Sequence, residues 1–141
     1  MKCIIDSNIL ISALINDSVT RKIIIQADKF FFYYPESAMQ EIKRYKETII
    51  KKANITENEF EIILKTLLKR IILIGDDYIE ANLELSKELM KKIDIDDSVF
   101  LASAMRIDEG VIWTDDRHFE RQDKVRIAKT QEMISLFGLR V

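Results

Sequence analysis

The sequence predicts an α/β fold with a central, mainly parallel sheet of four or five strands. Three observations carry this. Short apolar runs, each the length of a strand, alternate with longer stretches in which apolar residues recur at helical spacing. Only 3 Gly and 1 Pro occur in 141 residues, with no repeat and no low-complexity stretch, so one domain over residues 1–141 is expected. Acids stand directly after two of the predicted strands, where parallel sheets bind their ligands.

The elements follow in order. Lys2 to Ile5 is a short apolar run closed by Asp6 and reads as a buried strand. Ser7 to Ile15 and Val19 to Asp28 read as helices. Phe30 to Tyr34 is aromatic and strand-like, and Pro35 closes it. The fixed φ of Pro35 suits the first position of a helix, in which Ala38, Ile42, Tyr45 and Ile49 recur on one face. Thr56 with Glu59 three residues later is a capping-box pattern and starts an amphipathic helix to about Arg70. Ile71 to Ile74 is a third strand ended by Gly75, Asp77 to Lys92 a helix, and Asp97 to Ile107 a strongly apolar helix ended by Gly110. Val111 to Trp113 is a fourth strand, Val125 to Ala128 a short fifth, and Thr130 to Phe137 a last helix.

Composition narrows the function classes. Hydrophobic residues make up 48% and charged residues 33%, an ordinary balance for a globular domain. The single cysteine, Cys3, lies in the first strand and is expected in the core. One Cys and one His supply neither a disulfide framework nor a Cys/His zinc site. No apolar run reaches membrane-spanning length and no signal-peptide pattern opens the chain, so a cytoplasmic location with no membrane partner is expected. The net charge of −2 excludes a globally basic nucleic-acid binder. Basic residues nonetheless cluster at Lys43, Arg44, Lys46, Lys51 and Lys52, and again at Arg117, His118, Arg121, Lys124, Arg126 and Lys129. Basic surface around an acidic centre suits a polyanion cut with metal ions, although solvated helix faces account for each cluster alone.

Several acids have simple readings taken singly. Asp6 could cap the helix after it. Asp115 and Asp116 could be turn residues. Asp94, Asp96 and Asp97 could offset the positive end of the next helix. Two positions resist such readings. Asp97 shares a face with Phe100, Leu101 and Ala104, and Glu41 borders the buried face of its helix. Acids aimed at a core are costly unless paired or metal-bound, and no basic partner is evident beside Asp6, Asp97 or Asp116. A cluster of unpaired carboxylates is what Mg²⁺ or Mn²⁺ requires, since these hard ions take oxygen ligands. With no Ser/His/Asp set, phosphate-binding Gly-rich loop or Cys/His cluster, metal-assisted hydrolysis remains, most naturally of a phosphodiester.

At this level of detail the chain resembles the PIN-domain family, in particular the VapC-type toxin ribonucleases. A strand ending in Asp followed by Ser and Asn is matched by Ile4 to Asn8. A Pro-started helix carrying a Glu is matched by Pro35 to Glu41. An Asp opening a helix of small residues is matched by Asp96 to Ala104. A strand followed by Thr-x-Asp and then an aromatic is matched by Trp113 to Phe119. Asp115 departs from the pattern, since relatives often carry Asn or Arg there.

The resemblance implies a three-layer α/β/α domain that cleaves RNA with Mg²⁺ or Mn²⁺. It implies a homodimer and, in toxin members, a small antitoxin protein as partner. It assigns Asp6, Asp97 and Asp116 as metal ligands, and Glu41 as a further ligand or the group that orients the attacking water. Asn8 and Thr114 would hold the carboxylates in place, and Asp94 and Asp115 could be extra ligands. His118 reads as a solvated or structural residue rather than a general acid. Two rivals remain. One is a catalytically silent PIN-like module that binds protein or RNA. The other is a phosphotransfer domain, which also places an Asp after its first strand but wants a second Asp where Asn8 stands.

Overall fold

The computed structural model describes residues 1–138. Its strands are β1 (Lys2–Ile5), β2 (Phe31–Pro35), β3 (Ile71–Ile74), β4 (Gly110–Trp113) and β5 (Arg126–Ala128). The helices are α1 (Ser7–Ile15), α2 (Val19–Gln26), α3 (Met39–Arg44), α4 (Lys46–Ala53), α5 (Glu57–Leu68), α6 (Asp76–Met90), α7 (Ser98–Arg106) and α8 (Thr130–Phe137). Short 3₁₀ turns lie at Glu36–Ala38, Ile95–Asp97 and Arg117–Arg121.

The five strands form one sheet in the order β3-β2-β1-β4-β5, and every pairing is parallel. The α/β prediction with a four- or five-stranded parallel sheet is therefore met. Strand β1 is central and flanked on both sides, so a continuous apolar run is what it needs. Cys3, Ile4 and Ile5 are accordingly fully buried. Burial pushes the Cys3 thiol up to about 12, which leaves it inert as a nucleophile. Helix α7 packs on β1, β2 and β4 with α6 outside it, while α1, α2, α4, α5 and α8 form a separate group packed on one another. The chain moves from β1 out to β2 and β3, then returns to the other side of β1 for β4. The reversal lies between β1 and β4, the crevice in which open parallel sheets hold ligands.

Element boundaries differ from the sequence reading in instructive places. Pro35 ends β2, opposite Ile74, instead of opening a helix. Its ψ of 128° is extended, and the helical path begins one residue later with the 3₁₀ turn. The helix expected to continue past Tyr45 breaks there, because Tyr45 leaves helical geometry at φ −94°, ψ 4° and its N–H closes onto Glu41 and Lys43 carbonyls. Ile42 and Ile49 stay buried on either side of the break, while Tyr45 turns outward. Asp97 ends a 3₁₀ turn and caps α7 rather than lying within it. The capping box at Thr56 and Glu59 forms as read, with both hydrogen bonds at 3.1 Å.

Gly110 opens β4 instead of ending the preceding helix. A Cβ at this position would lie 2.5 Å from the Ala104 carbonyl oxygen, a backbone atom that cannot step aside. Gly110→Ala is therefore expected to cost about 1–3 kcal/mol, as overpacked sites do. Urea denaturation followed by circular dichroism would read this as a lower midpoint; an unchanged midpoint would mean the α7–β4 junction is looser than described.

Candidate active site

The carboxyl ends of β1 and β4 are tied together by a residue that belongs to neither strand. The backbone N–H of Asp6 donates to the Trp113 carbonyl at 3.1 Å, carrying the β1–β4 ladder one step past both strands. The fully buried Thr114 hydroxyl then donates to Asp6 Oδ2 at 2.7 Å and accepts the Asp116 backbone N–H at 3.0 Å. One hydroxyl thus orients both acids. Asp6 does occupy the N-cap position of α1, and its carbonyl receives the first helical N–H groups. Its carboxylate makes no capping bond, however, and is free to face the crevice.

The other acids come from the opposite wall. Glu41 is carried by α3. Asp94, Asp96 and Asp97 surround the 3₁₀ turn before α7. All of them meet Asp6 and Asp116 around a cleft of about 520 Å³ that Ser7, Asn8, Arg44 and Tyr45 also line. The structure thus brings Asp6, Glu41, Asp94, Asp97 and Asp116 together around one cleft. Asn8 is exposed on the cleft wall and, among the described residues, makes no side-chain hydrogen bond to these acids, so the holding position expected of it is not what the structure shows.

Asp115 does not enter the cleft. One of its oxygens accepts the Thr130 backbone N–H at 2.9 Å and the other the Thr130 hydroxyl at 2.7 Å. Thr130 Oγ1 in turn accepts the Trp113 indole N–H at 3.0 Å. Asp115 therefore secures the first turn of α8 against β4, a structural position in place of the extra metal ligand anticipated for it. A larger cavity of about 810 Å³ sits at the other edge of the sheet, lined by Met1, Lys2, Phe31, Gly110 and Arg126. It lies at the amino ends of the strands and gathers no comparable set of acids.

Electrostatics set the cleft apart. Burial, joined by the charges of Asp94, Asp6, Asp116 and Glu41, pushes the Asp97 carboxyl up to about 7. Burial also raises Asp6 to about 6 despite the Thr114 hydrogen bond, with Asp116 and Glu41 adding to the rise. Glu41 is raised as well, first by burial and then by Asp96 and Asp94, while a Ser7 hydrogen bond and Arg44 act against it. Asp97 Oδ2 is buried and has no hydrogen-bond partner among the described residues. Mutually repelling carboxylates around an unsatisfied buried oxygen fit a hard divalent cation, which would satisfy that oxygen and cancel the repulsion. Asp6, Asp97 and Asp116 have the chemistry to hold such an ion.

The sequence reading did not foresee several participants. His118 was read as solvated or structural, yet its Nδ1 stands 3.7, 3.9 and 3.5 Å from carboxylate oxygens of Asp94, Asp97 and Asp116. Asp94, Asp97 and His118 offer ligand atoms that all lie within 4.8 Å of one another. Arg44 and Tyr45 also reach the cleft. Arg44 was visible only as one member of a basic cluster, and Tyr45 was assigned to the core.

The sequence profile of the PIN domain matches residues 4–135 of this chain. Among solved structures, a chain in the crystal structure of VapBC2 from Rickettsia felis, bound to a DNA fragment from their promoter, has a similar fold. The TM-score is 0.65 at 17% sequence identity, over 92% of this chain and 98% of that one. No curated protein sequence matches.

Proposed function

Since the chain belongs to the PIN domain family, we propose that it is a Mg²⁺- or Mn²⁺-dependent endoribonuclease, the toxin of a toxin–antitoxin pair. The observation that carries the chemistry is the buried, unpartnered Oδ2 of Asp97, surrounded by the carboxylates of Asp6, Asp94 and Asp116 at the sheet's switch point.

In this reading Asp6, Asp97 and Asp116 hold the ion, which supplies Lewis acidity toward water and toward the phosphoryl oxygens. Thr114 keeps Asp6 aimed into the cleft through its 2.7 Å hydrogen bond. Glu41, raised by burial, is suited to orient the attacking water and to accept its proton. Arg44 places a fixed positive charge on the cleft wall, where it offsets a phosphate. Tyr45, about half exposed on the same wall, offers a ring face to a base.

The partner assignments belong to the same proposal. An antitoxin partner is supported by the fold shared with a chain of the VapBC2 structure. The homodimer is supported by apolar side chains left at the surface: Ile62 on α5, with Ile72 and Leu73 on the edge strand β3, each more than 40% exposed. Phe32 and Tyr34 of β2 are buried within the chain itself and add nothing to that surface. No helix among the described residues is long and apolar enough to cross a membrane.

The test is cleavage of single-stranded and looped RNA by purified protein with Mg²⁺, Mn²⁺ or EDTA. Metal-dependent cleavage is the expected result. No cleavage across a broad panel, together with no metal binding by calorimetry, would replace this reading with the silent binding module. Arg44→Ala is expected to weaken RNA binding several-fold and to reduce the salt dependence by about one counterion, as loss of one phosphate contact does. Tyr45→Ala should weaken binding by about 1–3 kcal/mol and Tyr45→Phe much less, because stacking needs the ring and not the hydroxyl. Equilibrium binding to a fluorescent oligonucleotide at several salt concentrations measures both.

A further inference from the structure

We propose that His118 is a nitrogen ligand in the acidic cleft, and that it makes the site select a first-row transition ion such as Mn²⁺ over Mg²⁺. The inference rests on the metal-dependent reading above and deepens it by naming the cation class.

The first argument is distance. His118 Nδ1 lies 3.7 Å from Asp94 Oδ2, 3.9 Å from Asp97 Oδ2 and 3.5 Å from Asp116 Oδ1. These separations exceed the ~2.7–3.2 Å of an N–H···O hydrogen bond. They match atoms that share an ion: with bonds of ~2.0–2.2 Å, neighbouring donors sit ~3 Å apart and opposite donors ~4.3 Å apart. An imidazolium held only by charge would close onto one carboxylate, whereas this ring stands nearly equidistant from three.

The second argument is the orphaned oxygen. Asp97 Oδ2, one of the three oxygens facing the ring, is buried and has no hydrogen-bond partner. An ion bound between it and Nδ1 would satisfy both atoms.

The third is rigidity. The 3₁₀ turn Arg117–Arg121 is pinned by the fully buried Phe119, whose ring meets Phe100 edge-on at 6.5 Å. The His118 backbone N–H is held by Asp116 Oδ1 at 2.9 Å. The backbone beneath the imidazole is therefore pre-placed, as a ligand's must be.

Selectivity follows from ligand type. Carboxylates alone serve Mg²⁺ and Mn²⁺ alike, while an imidazole nitrogen binds first-row transition ions better than Mg²⁺. The experiment is calorimetric titration of Mn²⁺ and of Mg²⁺ into wild type, His118→Ala and His118→Gln, with electron spin-echo spectroscopy of the Mn²⁺-loaded proteins. Wild type should bind Mn²⁺ more tightly than Mg²⁺ and show modulation from a coupled nitrogen. Both variants should lose that modulation and at least ~10-fold in Mn²⁺ affinity, with Mg²⁺ affinity within about twofold of wild type. His118→Gln keeps a polar side chain of similar reach, and circular dichroism confirms that each variant is folded. If wild type binds Mn²⁺ without nitrogen modulation, or if both ions shift by the same factor in the variants, His118 acts by charge alone and the inference is overturned while the metal site stands. If neither ion binds wild type, the inference and the metal-dependent reading fall together.

Discussion

Asp97→Asn is expected to lower metal-dependent RNA cleavage by at least ~100-fold and, in the absence of metal, to make the protein more stable than wild type. Asn nearly matches Asp in shape, so the start of α7 is preserved. What is lost is a negative charge that the ion needs and that four neighbouring acids repel. Those two consequences act in opposite directions, and their combination is diagnostic. A residue that matters only for folding would lose activity and stability together. Asp6→Asn and Asp116→Asn should behave alike in activity. Asp115→Asn is the control: its oxygens are engaged by Thr130, away from the cleft, so cleavage should persist with at most a modest fall in melting temperature. Single-turnover cleavage of a labelled RNA, with thermal melts in EDTA, checks the set. Asp97→Asn that cuts at the wild-type rate would sink the assignment.

The second large effect is an inversion of stability with pH. Asp97 and Asp6 are raised to about 7 and about 6 from an ordinary value of 3.8. Between pH ~4 and ~7 the folded chain therefore binds more protons than the unfolded chain, and stability falls as pH rises. The stability from protonating these two groups is fully present below about pH 4, partly lost at pH 5 and gone by about pH 8, once both are ionised. In EDTA the melting temperature is expected to drop by on the order of 5–10 °C across that window. Millimolar Mn²⁺ should restore it at pH 8, because the ion binds only the folded cluster, and should do little at pH 5, where protons hold the same oxygens. Differential scanning fluorimetry at each pH, with EDTA or Mn²⁺, reads both halves. A flat profile in EDTA would mean that the acids do not crowd one another in solution.

How much of this was legible in the sequence depended on how far apart the interacting residues lie. Strands β1 and β4 could be read because a strand buried on both faces needs an unbroken apolar run, and the acids after them could be read from strand-end logic. Asp97 was visible because its spacing from Phe100 and Leu101 is helical, although the structure sets it just ahead of α7. The break at Tyr45 was not, since Ala38, Ile42, Tyr45 and Ile49 keep helical spacing whether or not the axis bends. Asp115 and Asp116 could not be separated by local rules. Both follow β4, and only the position of Thr130, 15 residues on, draws Asp115 away. His118 was hidden for the same reason. Its surroundings arise only when the turn at Ile95–Asp97 meets the turn at Arg117–Arg121.

The hydrogen bond from Thr114 to Asp6 joins residues 108 positions apart, and β1, the first strand in the chain, has β2 and β4 as its neighbours in the sheet. This imposes an order on biosynthesis. Strand β1 must wait for both of its partners, and one wall of the cleft does not exist until the turn after β4 has emerged. A partly translated chain, however long it pauses, holds Asp6 and Glu41 without Asp116 opposite them. If the proposed activity holds, an RNA-cutting site built this way would stay silent beside the messenger that encodes it until Asp116 has been added to the chain.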